Sequence, residues 1–333
     1  MRRLHAAFAL RDQQLLSELF DNGARARLSA VADVAGDVVT TADGRGADHV
    51  LRDVEVLVTG WGPPRLDDAF LARTPRLRAV VHTAGTVKSF VTDAIWERGI
   101  EVSSAAWANA RPVAEYTLAM ILLAGKRVLE SAADYGRTRS LTGRHLPPHG
   151  NHGLVVGIVG ASRTGRQVME LLAPFDIDVL LHDPFVDAAG AQGLGATAVG
   201  LDELLRRSEV VSLHAPSLSE TYRMVGAREL ALMRDHSTLL NTARGQLVDT
   251  EALTTEVLAG RLRAILDVTD PEPLPADHPL HGAPGVLLTP HVAGSSGNEL
   301  RRLGASAVAE IERLAAGLEL AHPVRREHLA RTA

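Results

Sequence analysis

The chain contains no cysteine in its 333 residues. Disulfides, thiolate nucleophiles and cysteine-held metals are therefore excluded, and a reducing compartment, the cytoplasm, is expected. It has no strong charge of either sign. Lys and Arg number 35 against 40 Asp and Glu, a formal net charge of −5, which gives no electrostatic reason to expect a nucleic-acid partner. It also lacks a membrane-spanning run, because the longest lipophilic stretch, Val113 to Ala124, is too short and carries Glu115 and Tyr116. Met1 to Leu10 looks superficially like a signal peptide. However, His5 breaks its apolar run and Arg11-Asp12 ends it, so a first β-strand is expected there. No internal repeat or low-complexity tract is found.

What is present is alternation. At 46% hydrophobic and 23% charged, the chain has a globular composition and enough length for two cores. Apolar, β-branched runs predict strands at Ala6–Leu10, Val54–Thr59, Ala79–Thr83 and Ile100–Ser103, with helical patterns at Gln13–Phe20 and Leu66–Thr74. A second series predicts strands at Leu154–Val159, Asp178–His182, Ala196–Val199, Val210–His214, Ser237–Asn241, Arg263–Asp267 and Val286–Thr289. Such alternation predicts α/β architecture with parallel sheets covered by helices. Between the series, Asn109 to Tyr135 reads as one long buried helix with Pro112 in its first turn. Leu141 to Gly153, with Pro147, Pro148 and three glycines, reads as a loop. Leu300, Leu303, Ala307, Ile311, Leu314 and Leu318 fall on one face of a final amphipathic helix.

Two sets of residues carry chemistry. After the strand Leu154–Val159 comes Gly160-Ala161-Ser162-Arg163-Thr164-Gly165, followed by a helix expected from about Arg166. This is the strand–turn–helix setting of a dinucleotide fingerprint, in which helix N–H groups meet a pyrophosphate. Asp183 ends the next strand, where a carboxylate accepts from an adenosine ribose and repels a 2′-phosphate, so NAD is favoured over NADP. Ser162 stands where the fingerprint has its second glycine; its Cβ could push the phosphates away, or its hydroxyl could donate to them. The second set comprises Asn241-Thr242-Ala243-Arg244-Gly245, Asp267 to Pro273, and Thr289-Pro290-His291-Val292-Ala293-Gly294, each following a strand-like run. Strand ends of an open α/β sheet bind ligands. The segments would thus bring Arg244, Glu272 and His291 to one edge. An arginine can clamp a carboxylate, a histidine can move a proton, and a glutamate can hold that histidine protonated. There is no motif for a metal.

With these residues in place, the chain resembles the D-isomer-specific 2-hydroxyacid dehydrogenase family along essentially its whole length. The motifs are the Gly160–Gly165 loop, Asp183, His214-Ala215-Pro216, Asn241–Gly245, Asp267–Pro273 and Pro290–Gly294. The resemblance implies two Rossmann-like or flavodoxin-like domains. An NAD-binding domain at 108–298 would be inserted in a substrate domain made of 1–107 and 299–333. It implies a hydride exchange between NAD(H) and C2 of a small 2-oxo or 2-hydroxy acid. Arg244 would anchor the substrate carboxylate, His291 would be the acid and base, and Glu272 its partner. Gly160, Ser162, Arg163, Thr164, Gly165, Asp183, His214, Thr242, Ala243, Asp267 and Gly294 would contact the cofactor, with Asp267 on the nicotinamide carboxamide. Ala84, Gly85 and Thr86, in the loop after the strand ending at Thr83, would bind substrate together with Asn109. Trp107 would either line the pocket or serve packing. Thr269 departs from the family, whose members often carry a large aromatic there.

A homodimer is implied, paired through the nucleotide domain by the helix from Asn109 and the loop after it. Two other readings on the same fold are an NAD(H)-sensing corepressor-like binding protein and a formate- or phosphite-type dehydrogenase. Formate enzymes lack the glutamate partner, so Glu272 speaks against the former of that last pair.

Overall fold

The computed structural model of the protein describes residues 3–40, 47–141 and 150–329. The chain forms two compact units, Met1–Asn109 with Ser295–Ala333, and Ala110–Gly294. The first is discontinuous in sequence; the second is continuous.

The first unit holds β1 (Leu4–Ala9), β2 (Ala32–Val39), β3 (Val56–Thr59), β4 (Ala79–His82) and β5 (Glu101–Ser104). They form one parallel sheet in the order β2-β1-β3-β4-β5. Side chains alternate along a strand, and both faces are covered. From β1, Leu4, Ala6 and Phe8 join a core with Leu303 and Ile311, while Ala7 and Ala9 join another with Leu57, Val80 and Ile95. Burial on both faces is why these strands read as unbroken apolar runs. The strand β2 was not expected from the sequence: Asp33, Gly36 and Asp37 are disfavoured in strands, and β2 forms only through its pairing with β1 at the sheet margin. The opposite margin is closed by the chain's last segment, where Val324 N–H donates to Val102 O at 2.7 Å. Glu310 fixes that segment by accepting from the N–H groups of Ala321 and His322, both at 2.8 Å.

The second unit holds β6 (Leu154–Val159), β7 (Ile177–His182), β8 (Thr197–Ala198), β9 (Val210–Leu213), β10 (Thr238–Asn241), β11 (Arg263–Leu266) and β12 (Val286–Leu288). Its parallel sheet runs β12-β11-β10-β9-β6-β7-β8. The strand order reverses between β6 and β9. In an open sheet a crevice opens at that point, beyond the carboxyl ends of the strands. The α/β class and the two parallel sheets agree with the sequence expectation.

Five local expectations are corrected. The single helix Asn109–Tyr135 is two, Ala106–Gly125 and Val128–Thr138, divided where Arg127 adopts a left-handed φ of 50°. Since the first of these starts at Ala106, Pro112 lies in its second turn rather than its first. The second is not buried; none of its residues is. The fingerprint helix starts at Arg163, not near Arg166, because Ser162 caps it. The final helix stops at Ala315, and Leu318 lies beyond it, 53% exposed. Most of the expected loop Leu141–Gly153, residues 142–149, lies outside the described residues. Among the described residues no helix is long and apolar enough to cross a membrane.

Candidate active site

Every chemistry-bearing segment of the second unit sits at the carboxyl end of a strand: the fingerprint after β6, Asp183 after β7, His214 after β9, Arg244 after β10, Asp267 to Glu272 after β11, and His291 after β12. Parallel pairing of these strands puts all six turns on one edge.

At the switch point, Gly160 turns with φ +99°, and an added Cβ would lie 2.7 Å from the Ala215 nitrogen. A side chain there is excluded by the β9 turn. Ser162 has φ −62° and ψ 177°, which any residue adopts, and its hydroxyl accepts the Gly165 N–H at 3.3 Å. It is the N-cap of Arg163–Leu172, so the missing glycine is replaced by a cap, with no backbone strain. The first N–H groups of the helix, on Arg163 and Thr164, have no intrahelical acceptor and carry its positive dipole end. Asp183 accepts from Ala161 N–H at 2.7 Å and from Phe185 N–H at 2.8 Å. It therefore braces the fingerprint turn as well as offering a carboxylate beside it. His214 is buried behind this turn. Its Nε2 meets Ser212 Oγ at 2.8 Å, and its Nδ1 has no hydrogen-bond partner among the described residues. Burial depresses its pKa to about 3, so the ring is neutral. A Cβ-free turn, an open helix N-terminus, a nearby carboxylate and an orphaned buried nitrogen together fit a dinucleotide.

At the next turn, Asn241 clamps its own loop: its Nδ2 donates to Arg244 O at 2.8 Å, and its Oδ1 accepts from Ala243 N–H at 3.0 Å. Gly245 lies so close to the neighbouring loop that an added Cβ would strike the Thr269 carbonyl. Arg244 is half-buried and donates to Ala243 O at 2.6 Å. Burial lowers its pKa, and the charge of Glu272 works in the opposite direction, towards the charged form. Thr242 turns inward, its hydroxyl 2.9 Å from that of Thr117.

His291 Nδ1 lies 2.6 Å from Glu272 Oε1. His291 itself has φ +56°, and its N–H donates to Asp267 O at 2.9 Å. Asp267 is 2% exposed; its carboxylate accepts from Val292 N–H at 2.8 Å, Ala293 N–H at 3.0 Å and the Thr289 hydroxyl at 2.6 Å. Expected as a cofactor contact, Asp267 also anchors the turn that carries His291. Thr269, where relatives often have an aromatic, donates its hydroxyl to Pro271 O at 2.8 Å and so shapes the Glu272 loop from within. Gly294 closes the unit and is half-buried.

The remaining expected residues belong to the first unit. Ala84 is buried, Gly85 half-buried and Thr86 exposed in the turn after β4. A Cβ on Gly85 would meet no atom within 4 Å, so its backbone faces open space. Beneath the turn lies His82, whose Nδ1 is 2.9 Å from Thr59 Oγ1 and whose pKa is pushed to about 3 by burial. Asn109 Oδ1 accepts from Ser295 N–H at 2.9 Å. Trp107 donates to Ser306 Oγ at 3.2 Å and stacks on His322 at 4.6 Å, which is a packing arrangement. Sequence reasoning missed Tyr116, Thr289 and His82. Tyr116 and Thr289 meet across 173 positions of chain, a relation no local pattern carries. Among the described residues, no cluster of His, Asp and Glu has the arrangement of a metal site.

Known proteins match along the same lines. The model of the D-isomer specific 2-hydroxyacid dehydrogenase NAD-binding domain matches residues 118–293. D-3-phosphoglycerate dehydrogenase of Mycobacterium leprae is 34% identical over 255 residues, covering 75% of this chain and 47% of that protein. The chain thus spans about half the length of that relative. (S)-sulfolactate dehydrogenase of Chromohalobacter salexigens is 33% identical over 313 residues, covering 90% of this chain and 97% of that one. The crystal structure of the TT0316 protein from Thermus thermophilus superposes with a TM-score of 0.75 at 31% identity, covering 96% of this chain and 100% of that one. The second unit is accordingly an NAD-binding domain, and the chain belongs to the D-isomer-specific 2-hydroxyacid dehydrogenase family.

Proposed function

We propose that the protein is an NAD-dependent D-2-hydroxyacid dehydrogenase, interconverting a 2-oxo acid and its D-2-hydroxy acid. The observation that carries this reading is the His291–Glu272 pair, 2.6 Å apart on the strand edge that also carries Arg244 and the dinucleotide turn. Bound NADH supplies the hydride that reaches C2. Arg244 holds the substrate carboxylate with its planar fork. Because Glu272 occupies Nδ1 of His291, the ring faces substrate with Nε2. In reduction Nε2 donates a proton to the carbonyl oxygen, and in oxidation it takes the hydroxyl proton. Ala84, Gly85, Thr86 and Asn109 are proposed to contact the substrate. Gly160, Ser162, Arg163, Thr164, Gly165, Asp183, His214, Thr242, Ala243, Asp267 and Gly294 are proposed to contact the cofactor. Asp183 favours NAD over NADP, and Oδ2 of Asp267 keeps a lone pair for a carboxamide.

A homodimer paired through the NAD-binding domain belongs to the same proposal. The helix Val128–Thr138 buries none of its residues, and Val128, Tyr135 and Leu141 are 39%, 57% and 67% exposed. These exposed apolar side chains on and beside an unburied helix support a docking face there. A cytoplasmic location is supported by the cysteine-free sequence.

The test is a panel of 2-oxo acids followed by loss of NADH absorbance. It includes glyoxylate, hydroxypyruvate, pyruvate and the oxidised forms of 3-phosphoglycerate and sulfolactate, prompted by the relatives' names. Formate and phosphite with NAD are the contrasting arms. Turnover of an oxo acid that disappears in His291→Ala supports the reading; turnover of formate or phosphite alone overturns it.

A further inference from the structure

The turn that presents His291 is held only in part by its own backbone, through the His291 N–H to Thr289 O at 3.0 Å. A left-handed φ of 56° is uncommon for a residue with a side chain and must be imposed by its surroundings. Three successive N–H groups, of His291, Val292 and Ala293, all donate to Asp267, the first to its carbonyl and the others to its carboxylate. That carboxylate is buried, and the structure gives it no cation among the described residues. Its charge is compensated by donors, so each donor matters.

The third donor to the carboxylate is the Thr289 hydroxyl, and this fixes the direction of a longer chain. Thr289 has one hydroxyl proton, given to Asp267 Oδ1 at 2.6 Å. Its contact with the Tyr116 hydroxyl, at 2.8 Å, must then run from Tyr116 as donor. Burial, with a smaller push from the charge of Asp267, raises the Tyr116 pKa against the lowering effect of its bond to Thr289, so the phenol keeps its proton. Tyr116 stands on the helix Ala106–Gly125, outside the strand-end turns. A tether thus runs from that helix through Thr289 and Asp267 to the backbone of the turn, while Glu272 sets the ring itself.

We propose that Tyr116 and Thr289 are positioning residues for His291, acting through the Asp267 carboxylate. The proposal rests on the reading of His291 as the acid and base. Neither residue touches the reacting atoms; they fix where Nε2 stands. Displacement of a reacting group by about 1 Å costs on the order of a hundredfold in rate. Loss of the Thr289 hydroxyl removes a donor to Asp267 and strands the Tyr116 hydroxyl. Loss of the Tyr116 hydroxyl leaves Thr289 bonded to Asp267, so its effect is smaller.

The experiment measures kcat, KM for the best oxo acid of the panel, and Kd for NADH in Thr289→Val, Thr289→Ser and Tyr116→Phe, each also in a His291→Ala background. Thr289→Val is expected to lower kcat by about ten- to a hundredfold, and Tyr116→Phe by about threefold, with Kd for NADH changed by less than about threefold. Thr289→Ser keeps the hydroxyl and should restore kcat to within about threefold of the parent. In the His291→Ala background, Thr289→Val should remove almost nothing more, since it acts through the imidazole. Parental kcat in Thr289→Val, or an equal loss in both backgrounds, overturns the proposal. Should Thr289→Val fail to fold, Tyr116→Phe decides in the same way, through its loss in the parent and its silence in His291→Ala. Full turnover in His291→Ala alone would instead overturn the acid–base reading, and this proposal with it.

Discussion

The hydroxyl of Ser162 accepts the backbone N–H of Gly165 at 3.3 Å, so the residue that breaks the glycine pattern is the cap of the helix that follows it. Replacing a serine cap by alanine costs about 1 kcal/mol, and by glycine only a few tenths. Ser162→Ala should therefore lower the urea midpoint visibly, and Ser162→Gly should scarcely move it. A midpoint in Ser162→Ala equal to that of the parent would show that the cap is not stabilising.

Replacing His291 with Ala should reduce turnover by about a hundred- to ten-thousandfold, the usual range for a general acid, with NADH binding nearly unaltered. Glu272→Gln should lower kcat less, because the amide oxygen can still accept from Nδ1 and hold the ring's orientation. Steady-state kinetics beside fluorescence titration of NADH separates the two effects.

Asp183→Ser should relax the choice between NAD and NADP by removing the charge that repels a 2′-phosphate. It should also weaken both cofactors somewhat, because the Ala161 and Phe185 N–H groups lose their acceptor. An unchanged ratio of the two affinities would refute the ribose role.

His82 and His214 give the fold an acid weakness. Both have folded-state pKa values of about 3, well below the ordinary 6.5, because burial disfavours the charged ring. As pH falls below 6.5 the unfolded chain takes protons on these rings and the folded chain does not. Stability is therefore lost towards acid, by about 1.4 kcal/mol per pH unit for each histidine within that window. His82→Gln should flatten the fall in urea midpoint between about pH 7 and about pH 5. A parallel fall in the variant would exclude this cause.

Tyr135→Glu, on the helix with no buried residue, should shift the protein towards monomer in sedimentation velocity while leaving each unit folded. An unaltered sedimentation coefficient would place the interface elsewhere.

Much of this was legible because parallel strands buried on both faces advertise themselves as apolar runs. The turn after each strand then gives the position of Arg244, Glu272, His291 and Asp183. Other features were not legible. The strand β2 carries Asp33, Gly36 and Asp37 and is made by pairing with β1, a long-range cause. The break at Arg127 was signalled only by Gly125 and Lys126, a glycine and a cation of the kind that ends helices, inside a stretch otherwise rich in Ala, Leu and Val. The Asp267 carboxylate was expected as a cofactor contact, and its part as the anchor of Val292 and Ala293 was not legible. Its hydrogen bonds depend on a turn whose shape follows from β11 and β12 lying side by side.

The first unit takes Leu300, Leu303, Ile311 and Leu314 into the same core as β1, whereas the NAD-binding unit draws its core wholly from residues 110–294. On a ribosome the two therefore cannot mature in the order of their first residues. The N-terminal sheet must wait, with one flank bare, until residue 314 has emerged. By then the unit encoded second already has everything it needs to close. A pause or truncation before that point would leave the earlier-made strands as the sticky part of the nascent chain.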